Sequence, residues 1–220
     1  MSEGWRHPAV PAAQARLADR ELVSWRAGGE HGPFDAAAMM LRSLWHHDPA
    51  AHTFLEVGCG AGYYSEIIAE EFPTAVYTGC DYAPGMVAEA STRYPRLKFS
   101  CADQRFLLGF HTASIDCVWN GAALLHLMTP EDWQQAITEA ARVSRRWLVF
   151  HRVPVRMNCL PSQTHENDFY DRAAPTKIPE RYVARDEWDA LLAPFRRVAI
   201  ESWSSVDADP QWESVLVEKV

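Results

Sequence analysis

Short apolar runs alternate along the chain with longer amphipathic stretches. The runs are rich in β-branched and aromatic residues, and most of their positions are apolar. Such runs are typical of strands in a sheet that is covered on both faces. Five strands are predicted on this basis, at residues 52–57, 75–80, 97–102, 116–120 and 147–151.

The stretches between these runs have helical character. Residues 63–72 place apolar side chains at helical spacing, and a second helix is predicted to begin at Pro84, where a first-turn proline is tolerated. A third is predicted over 129–143, with Thr129 as its N-cap and Pro130 at the first helical position. The alternation of strand and helix predicts parallel crossovers and a doubly wound α/β sheet, with its ligand at the carboxyl ends of the strands.

A glycine-rich turn follows the first predicted strand, in the stretch LEVGCGAGYY. Glycines at Gly58, Gly60 and Gly62 let the backbone turn sharply and let a ligand approach the main chain closely. Tyr63 stands where the dinucleotide fingerprint GxGxxG needs a small residue, which disfavours a pyrophosphate. Glu56, two residues before the first glycine, would repel a pyrophosphate but suits a ligand that presents a cationic amine.

This turn resembles the first motif of the class I S-adenosylmethionine-dependent methyltransferases, an acidic residue followed by x-G-x-G-x-G. The likeness extends through about half of the chain. In that family the acid at the position of Asp81 accepts hydrogen bonds from the ribose, and the position of Asp103 contacts the adenine amine. Residues 113–127 are similar to the fourth motif, whose strand ends beneath the sulfonium.

The resemblance implies an enzyme with a Rossmann-like, doubly wound, mostly parallel seven-stranded sheet and helices on both faces. It also implies S-adenosylmethionine as the cofactor and S-adenosylhomocysteine as the product. Taken singly, the glycines could form only a tight turn, Asp81 could cap a helix, and Tyr82 and Met86 could be core residues. The implied cofactor-binding residues are Glu56, Gly58, Cys59, Gly60, Gly62, Asp81, Tyr82, Met86, Ala102, Asp103, Gln104, Asn120 and Gly121.

The chain of 220 residues is within the range of one domain, and a single methyltransferase domain is expected. Residues 1–47 are predicted as an N-terminal helical cover, 48–151 as the cofactor-binding core, and 184–220 as a C-terminal helix with the last two strands. The segment 152–183 contains four prolines and no clear period. We expect it to be a lid-like insertion, because a loop of this length inside a compact domain is usually functional or disordered.

The net charge and the hydropathy of the chain limit the classes of partner that it is expected to bind. The 29 acidic and 21 basic residues give a net charge of −8, the wrong sign for holding phosphate backbones, so no nucleic acid is expected. No apolar run approaches the roughly 20 residues that cross a bilayer, and the first residues lack a signal-type apolar core. We therefore expect a cytoplasmic protein with no membrane partner. The basic residues are almost all arginine, with only three lysines, which hints at a GC-rich bacterial genome. The histidines and cysteines lack metal-ligand spacing, so no metal is expected.

Methyl transfer needs proximity and alignment, and sometimes a base. His151 is the predicted general base, because it ends the fifth predicted strand on the ligand side of the sheet. His126 is the second catalytic candidate, followed by His165 with Tyr170 and Tyr182 as further alternatives. A hydrogen-bonded structural role is the alternative for His151, and helix packing is the alternative for His126.

The acceptor is expected to be a small molecule. The chain has no Asn/Asp-Pro-Pro-aromatic tetrapeptide after the fourth strand and no Pro-Cys dipeptide, which disfavours base-modifying types. Arg152 could hold a substrate carboxylate or phosphate through its planar fork, or form a surface ion pair. O- or N-methylation is favoured. The alternatives are a non-methylating reaction with the same cofactor, or a non-catalytic cofactor-binding partner subunit.

Overall fold

The computed structural model describes residues 3–29, 32–168, 176–204 and 209–220. Two short 3-10 helices lie at Glu3–Arg6 and Leu124–His126, and the α-helices are α1 (Val10–Arg26), α2 (Gly32–His47), α3 (Tyr64–Glu71), α4 (Pro84–Arg93), α5 (Pro130–Val143) and α6 (Arg185–Leu192). The strands are β1 (Thr53–Val57), β2 (Val76–Asp81), β3 (Lys98–Cys101), β4 (Ile115–Gly121), β5 (Ser144–Arg156), β6 (Gln163–Asp168), β7 (Lys177–Ala184), β8 (Phe195–Ser202) and β9 (Gln211–Lys219).

A single sheet joins the nine strands of the described ranges. Its parallel part has the order β3-β2-β1-β4-β5, and β9 pairs antiparallel with β5 and with β8 beyond it. These seven strands confirm the predicted mostly parallel, doubly wound sheet. The bounds of β1 to β4 lie within one residue of the prediction at each end.

Helices cover both faces of this sheet, as predicted. Successive side chains of a strand point to opposite faces. In β5, Leu148 and Phe150 belong to the core that includes α5 and α6, whereas Trp147 and Val149 belong to the core that includes α2 and α3. The predicted cap of α5 is confirmed, because the Thr129 hydroxyl accepts a hydrogen bond from the backbone N–H of Asp132 at 3.1 Å.

The segment 152–183 differs from the irregular insertion that the sequence predicts. The strand β5 continues to Arg156, and β6 and β7 form an antiparallel hairpin. The strand β7 also pairs in parallel with β5 at Val155 and Arg156, beyond the end of β4. The sequence signal was weak because β6 is polar and mostly exposed, so it shows no hydrophobic period. Residues 169–175 of this segment lie outside the described ranges.

Trp188 should contribute strongly to the stability of this fold. Its side chain is 0% exposed, packs against Trp133 and Phe150, and donates from Nε1 to Oε1 of Glu213 at 2.8 Å. Trp188→Ala should lower the free energy of unfolding by about 3–5 kcal/mol, because it leaves a cavity and an unpaired carboxylate oxygen. Urea unfolding followed by circular dichroism measures this loss.

Trp45→Ala is the matched control, since the Trp45 side chain on α2 is 47% exposed. It should cost less than about 1 kcal/mol. Equal losses for the two variants would contradict the assignment of Trp188 to the core.

Candidate active site

A cavity of about 530 Å³ lies at the carboxyl ends of β1, β2 and β4, where a doubly wound sheet offers a ligand crevice. Helix α1 and the β6–β7 hairpin contribute the other walls. Eleven of the predicted site residues line this cavity: Glu56, Gly58, Cys59, Gly60, Asp81, Tyr82, Met86, Ala102, Gln104, Gly121 and His126. Four predicted residues are not among its lining: Gly62, Asp103, Asn120 and His151.

The turn after β1 is built on left-handed backbone. Gly58 and Gly60 have φ angles of +74° and +52°, which residues with a side chain rarely adopt. A Cβ on Gly58 would lie 2.3 Å from Cβ of Ala123, and a Cβ on Gly60 would lie 2.6 Å from Oε1 of Gln14. Both positions therefore require glycine, and the main chain itself forms this part of the cavity wall.

Asp81 fixes the glycine turn to the next βα connection. Its Oδ2 accepts a hydrogen bond from the N–H of Gly60 at 2.9 Å, and its Oδ1 accepts from the N–H of Ala83 at 2.8 Å, just before α4. Each carboxylate oxygen retains a further lone pair, and the residue lines the cavity. Asp81 thus has a structural role, and it is also placed to receive hydrogen bonds from a ligand.

Glu56 is a buried acid at the end of β1 and is 0% exposed. Tyr77 donates its hydroxyl proton to Oε2, while Oε1 has no hydrogen-bond partner among the described residues. Burial raises the pKa of this carboxyl from 4.5 to about 8, and the charge of Asp81 adds to the rise against the opposing Tyr77 hydrogen bond. An unsatisfied, buried carboxylate oxygen in a cavity wall is costly unless a donor or a cation reaches it.

Helix α1 closes the cavity above the glycine turn. The Oε1 atom of Gln14 accepts a hydrogen bond from the N–H of Ala61 at 3.2 Å. Val10 and Ala13 pack on Met86 at the start of α4. Sequence reasoning missed Gln14, because a single polar side chain on a predicted helix gives no signal of what it contacts.

Asp103 is not among the residues that line the cavity, and its contact with adenine stays a prediction. Arg105 binds its carboxylate twice, with Nη2 to Oδ2 at 2.7 Å and Nε to Oδ1 at 3.1 Å. The carboxylate also accepts from the N–H of Arg105 at 2.9 Å. The side chain is therefore occupied by a neighbour two residues away in the sequence.

Asn120 and Gly62 lie behind the lining residues. The Asn120 side chain donates to Oε1 of Gln104 at 3.0 Å and accepts from the N–H groups of Ala123 and Leu124, both at 3.3 Å. Gln104 in turn donates to the carbonyl oxygen of Ala123 at 2.8 Å. This network orients Gln104 and the loop after β4, so Asn120 acts on the cavity through its neighbours.

His151 also lies outside the cavity, contrary to the prediction that it faces the acceptor. Its ring is 1% exposed, and its two nitrogens lie 2.7 Å from the Tyr64 hydroxyl and 2.7 Å from the Ser214 hydroxyl. The ring stacks on Trp203. The prediction failed because β5 does not end at His151 but continues to Arg156. This arrangement matches the hydrogen-bonded structural alternative.

His126 lines the cavity from the 3-10 turn after β4. Its Nδ1 lies 3.1 Å from the carbonyl oxygen of Pro179. A carbonyl only accepts, so Nδ1 carries the proton in the neutral ring and Nε2 keeps its lone pair. Burial, and to a lesser extent the charge of Arg152, lowers the pKa of His126 from 6.5 to about 4, against the opposing Pro179 hydrogen bond. The ring is therefore neutral near pH 7.

The remaining candidates lie on the hairpin. The rings of His165 and Tyr182 contact each other at a tilt, with centroids 4.4 Å apart, and neither residue is among the lining residues. Tyr170 lies outside the described ranges. The cavity wall on this side contains Arg152 and Trp212, of which Trp212 was missed because it lies on the distant β9.

The known proteins that resemble this chain agree with a cofactor site at the glycine turn. A family model described as a methyltransferase domain matches residues 54–146, which run from β1 into β5 and include the glycine turn and Asp81. Over this region, which is less than half of its length, the chain is similar to the class I S-adenosylmethionine-dependent methyltransferases.

The curated proteins that resemble this chain are similar to it over part of their length. A malonyl-[acyl-carrier protein] O-methyltransferase from Anoxybacillus flavithermus is 30% identical over 97 residues, which are 40% of this chain and 37% of the relative. A probable S-adenosylmethionine-dependent methyltransferase from Mycolicibacterium smegmatis is 34% identical over 130 residues, 57% of this chain and 48% of the relative. The chain thus spans less than half the length of these two curated relatives.

The likeness in fold covers a larger share of this chain than the likeness in sequence does. The crystal structure of magnesium protoporphyrin IX methyltransferase from Synechocystis, with bound S-adenosylmethionine, superimposes with a TM-score of 0.60 at 17% identity. The alignment covers 86% of this chain and 80% of that one. At 17% identity this likeness shows a shared fold only.

The described ranges also bear on metal binding and on membrane insertion. Within them, no three His, Cys, Asp or Glu side chains converge closely enough to hold a metal ion. None of the helices found there combines the length and the apolar character that crossing a membrane requires.

Glu56 should make the ligand-free protein less stable as the pH rises. Between the ordinary pKa of 4.5 and the folded-state pKa of about 8, the folded chain holds a proton that the unfolded chain has lost. The unfolded state binds fewer protons there, so the free energy of unfolding falls as the pH rises through this window. In Glu56→Gln the melting temperature, measured across the same window, should decline less steeply.

The control is Glu70→Gln, which removes an exposed acid on α3 and should keep the slope of the parent protein. An identical slope in all three proteins would show that Glu56 does not hold this proton.

Proposed function

We propose that this chain binds S-adenosylmethionine in the cavity and transfers its methyl group to a small-molecule acceptor, with O- or N-methylation favoured. One observation carries the proposal. The buried Oε1 of Glu56 has no partner in the described part of the chain and lies beside the glycine turn of the family motif. A cationic amine of the cofactor supplies the missing partner.

The residues present fit the cofactor. Glu56 would hold the ammonium group, and the backbone at Gly58 and Gly60 would lie against the ligand without side chains in between. Asp81 would accept hydrogen bonds from the ribose hydroxyls with its remaining lone pairs. Tyr82 and Met86, together with Ala102 and Gln104, would form the adenine side.

The bound cofactor supplies an electrophilic methyl group on a sulfonium, so this chain has to bind, orient and dehydrate the two reactants. Helix α1 and the hairpin wall the cavity and reduce its contact with water. We propose that residues 1–47 and 152–183 together form this cover over the core of a single domain. Residues 169–175 of the cover lie outside the described ranges.

His126 is the proposed general base for a hydroxyl or amine acceptor. Its Nε2 is unprotonated because Nδ1 donates to the carbonyl of Pro179, and the residue lines the cavity. The acceptor would transfer its proton to Nε2 as the bond to the methyl group forms. His151 would instead order Tyr64 through the hydrogen bond between them.

Two points support the choice of acceptor class. The named reaction of the Anoxybacillus flavithermus relative is an O-methylation, which favours oxygen over carbon. The net charge of −8 disfavours nucleic acid and so supports a small-molecule acceptor. A screen of phenols, amines and carboxylic acids with methyl-labelled cofactor tests the reaction. Product mass separates methylation from elimination or rearrangement, and cofactor binding without turnover would favour a non-catalytic subunit.

Cofactor affinity should depend on Asp81. Asp81→Ala should raise the dissociation constant of S-adenosylhomocysteine by roughly 30- to 1,000-fold, or about 2–4 kcal/mol, because two hydrogen bonds to a charged group are lost. It should also lower stability by about 1–2 kcal/mol, since the N–H groups of Gly60 and Ala83 lose their acceptor. Calorimetry and urea unfolding measure the two effects.

Asp103→Ala is the matched control, because Asp103 follows the next strand but is bound by Arg105. Its affinity for S-adenosylhomocysteine should stay within about threefold of the parent. If Asp103→Ala weakened binding as much as Asp81→Ala, the assignment of the ribose site would be wrong.

His126→Gln should lower turnover of an identified hydroxyl or amine acceptor by about 10²-fold or more, with cofactor affinity within a few-fold. Because the pKa of His126 is lowered to about 4, the parent enzyme should show no rising limb between about pH 6 and pH 8. His151→Gln is the comparison variant. It should lower the free energy of unfolding, and it should reduce turnover less than His126→Gln does. A loss below tenfold in His126→Gln would mean that positioning suffices without a base.

A further inference from the structure

We propose that Arg152 anchors a carboxylate of the methyl acceptor, so that the acceptors of this protein are monocarboxylate compounds. The proposal rests on the proposed function and names the substrate class of the same cavity. Binding of this carboxylate to Arg152 orients the acceptor in the cavity. The atom that receives the methyl group belongs to another part of the acceptor.

An irregularity in β5 directs Arg152 into the cavity. The pairing of β5 with β9 shifts its register between Phe150 and Val153, and Arg152 has a φ angle of +57° within this shift. His151, the preceding residue, points into the core with Trp119, whereas Arg152 lines the cavity. A left-handed φ is costly for a residue with a long side chain, and such strain concentrates at functional sites.

Arg152 is a buried cation without an ion pair in the described ranges. Its Nε is buried without a hydrogen-bond partner among the described residues. Burial lowers the pKa of Arg152, but its interactions with Tyr64, Tyr63 and the charge of Glu21 outweigh this and raise the pKa. The ring of Trp212 lies 5.7 Å from its Cζ and holds the group from one side. A guanidinium stays charged at every pH that proteins tolerate, and burying it unpaired is costly. An anionic ligand group relieves that cost.

The cofactor's own carboxylate is the competing anion, and the affinity of Arg152→Gln for S-adenosylhomocysteine distinguishes the two. That carboxylate is attached to the same carbon as the ammonium group assigned to Glu56, where Tyr77 and Asp81 are the neighbouring influences. Arg152 has neighbours on both sides of the cavity, because Tyr63 and Tyr64 directly follow the glycine turn, whereas His126 and Glu180 lie toward the hairpin. Its charge contributes to the lowered pKa of His126, and it opposes the rise that burial causes in the pKa of Glu180.

The charges around the cavity select a monoanion. Arg152 is the only lysine or arginine among the described lining residues. The lining acids are Glu21, Glu56, Asp81, Asp168 and Glu180. A phosphate dianion would meet one cation in an acidic cavity, whereas a carboxylate matches the planar guanidinium with two parallel hydrogen bonds and a single charge.

The test compares acids with their uncharged amides. The parent protein, saturated with S-adenosylhomocysteine, is titrated calorimetrically with benzoate, phenylacetate and hexanoate, with the three matching amides, and with phenyl phosphate. At least one acid should bind at least about tenfold more tightly than its amide, and more tightly than phenyl phosphate. In Arg152→Gln the preference for acid over amide should fall below about threefold, while the affinity for S-adenosylhomocysteine stays within about threefold.

Arg146→Gln is the matched control, because Arg146 lies on the same strand but is exposed and paired with Glu218. It should keep the full preference for the acid. Arg152→Lys, which retains the charge without the fork, should show an intermediate preference and serves if Arg152→Gln does not fold.

Several results would overturn the assignment. They are acid and amide binding equally well, no acid binding, phenyl phosphate binding most tightly, or acid binding that survives Arg152→Gln. A large loss of S-adenosylhomocysteine affinity in Arg152→Gln would place the cofactor's carboxylate on Arg152 and would also overturn it. Failure of the parent to bind S-adenosylhomocysteine would contradict the proposed function instead, and the acid and amide titrations repeated without it would still decide the role of Arg152.

Discussion

The cavity depends on the hydrogen bonds that the Asp81 carboxylate makes to the backbone of two separate loops. One oxygen holds the N–H of Gly60 in the turn after β1, and the other holds the N–H of Ala83 before α4. The turn has left-handed backbone at several glycines, which only an external constraint can keep in one arrangement. Because one side chain fixes both loops, the ends of β1 and β2 form a single rigid wall.

Two buried ionisable groups, an acid and a guanidinium, line the cavity. Glu56 lies at the glycine turn with one oxygen unsatisfied, and Arg152 lies near the hairpin with its Nε unsatisfied, as far as the described residues show. Burial raises the pKa of Tyr63 and of Tyr64, and Arg152 and Glu56 act on both in opposite directions. In the proposed function Glu56 receives the cofactor's ammonium and Arg152 the acceptor's carboxylate, so each reactant is oriented by one of these groups.

The cover of the cavity comes from segments that lie far apart in the sequence. Helix α1 contacts the glycine turn through Gln14 and is tied to α3 by the ion pair of Arg26 with Glu66. The hairpin reaches the cavity because β7 takes the place beside β5 that β4 leaves free beyond Gly121. The same arrangement fixes His126, whose ring donates to the backbone of β7 at Pro179. Acceptor recognition and the state of the proposed base are therefore linked through one hairpin.

The sequence by itself determined the doubly wound sheet, strands β1 to β4, and the acid and glycine positions of the first motif. These features depend on local periodicity, on glycine backbone freedom and on spacing from a strand end, all of which are legible in a short window. The tertiary structure alone decided which of two adjacent residues, His151 or Arg152, faces the cavity. The local sequence predicts that His151 ends β5 and faces the ligand. Because β5 continues to Arg156 and its register against β9 shifts between Phe150 and Val153, Arg152 faces the cavity instead. It also decided that Gln14 and Trp212 join the site, because such contacts arise from packing between segments far apart in the chain.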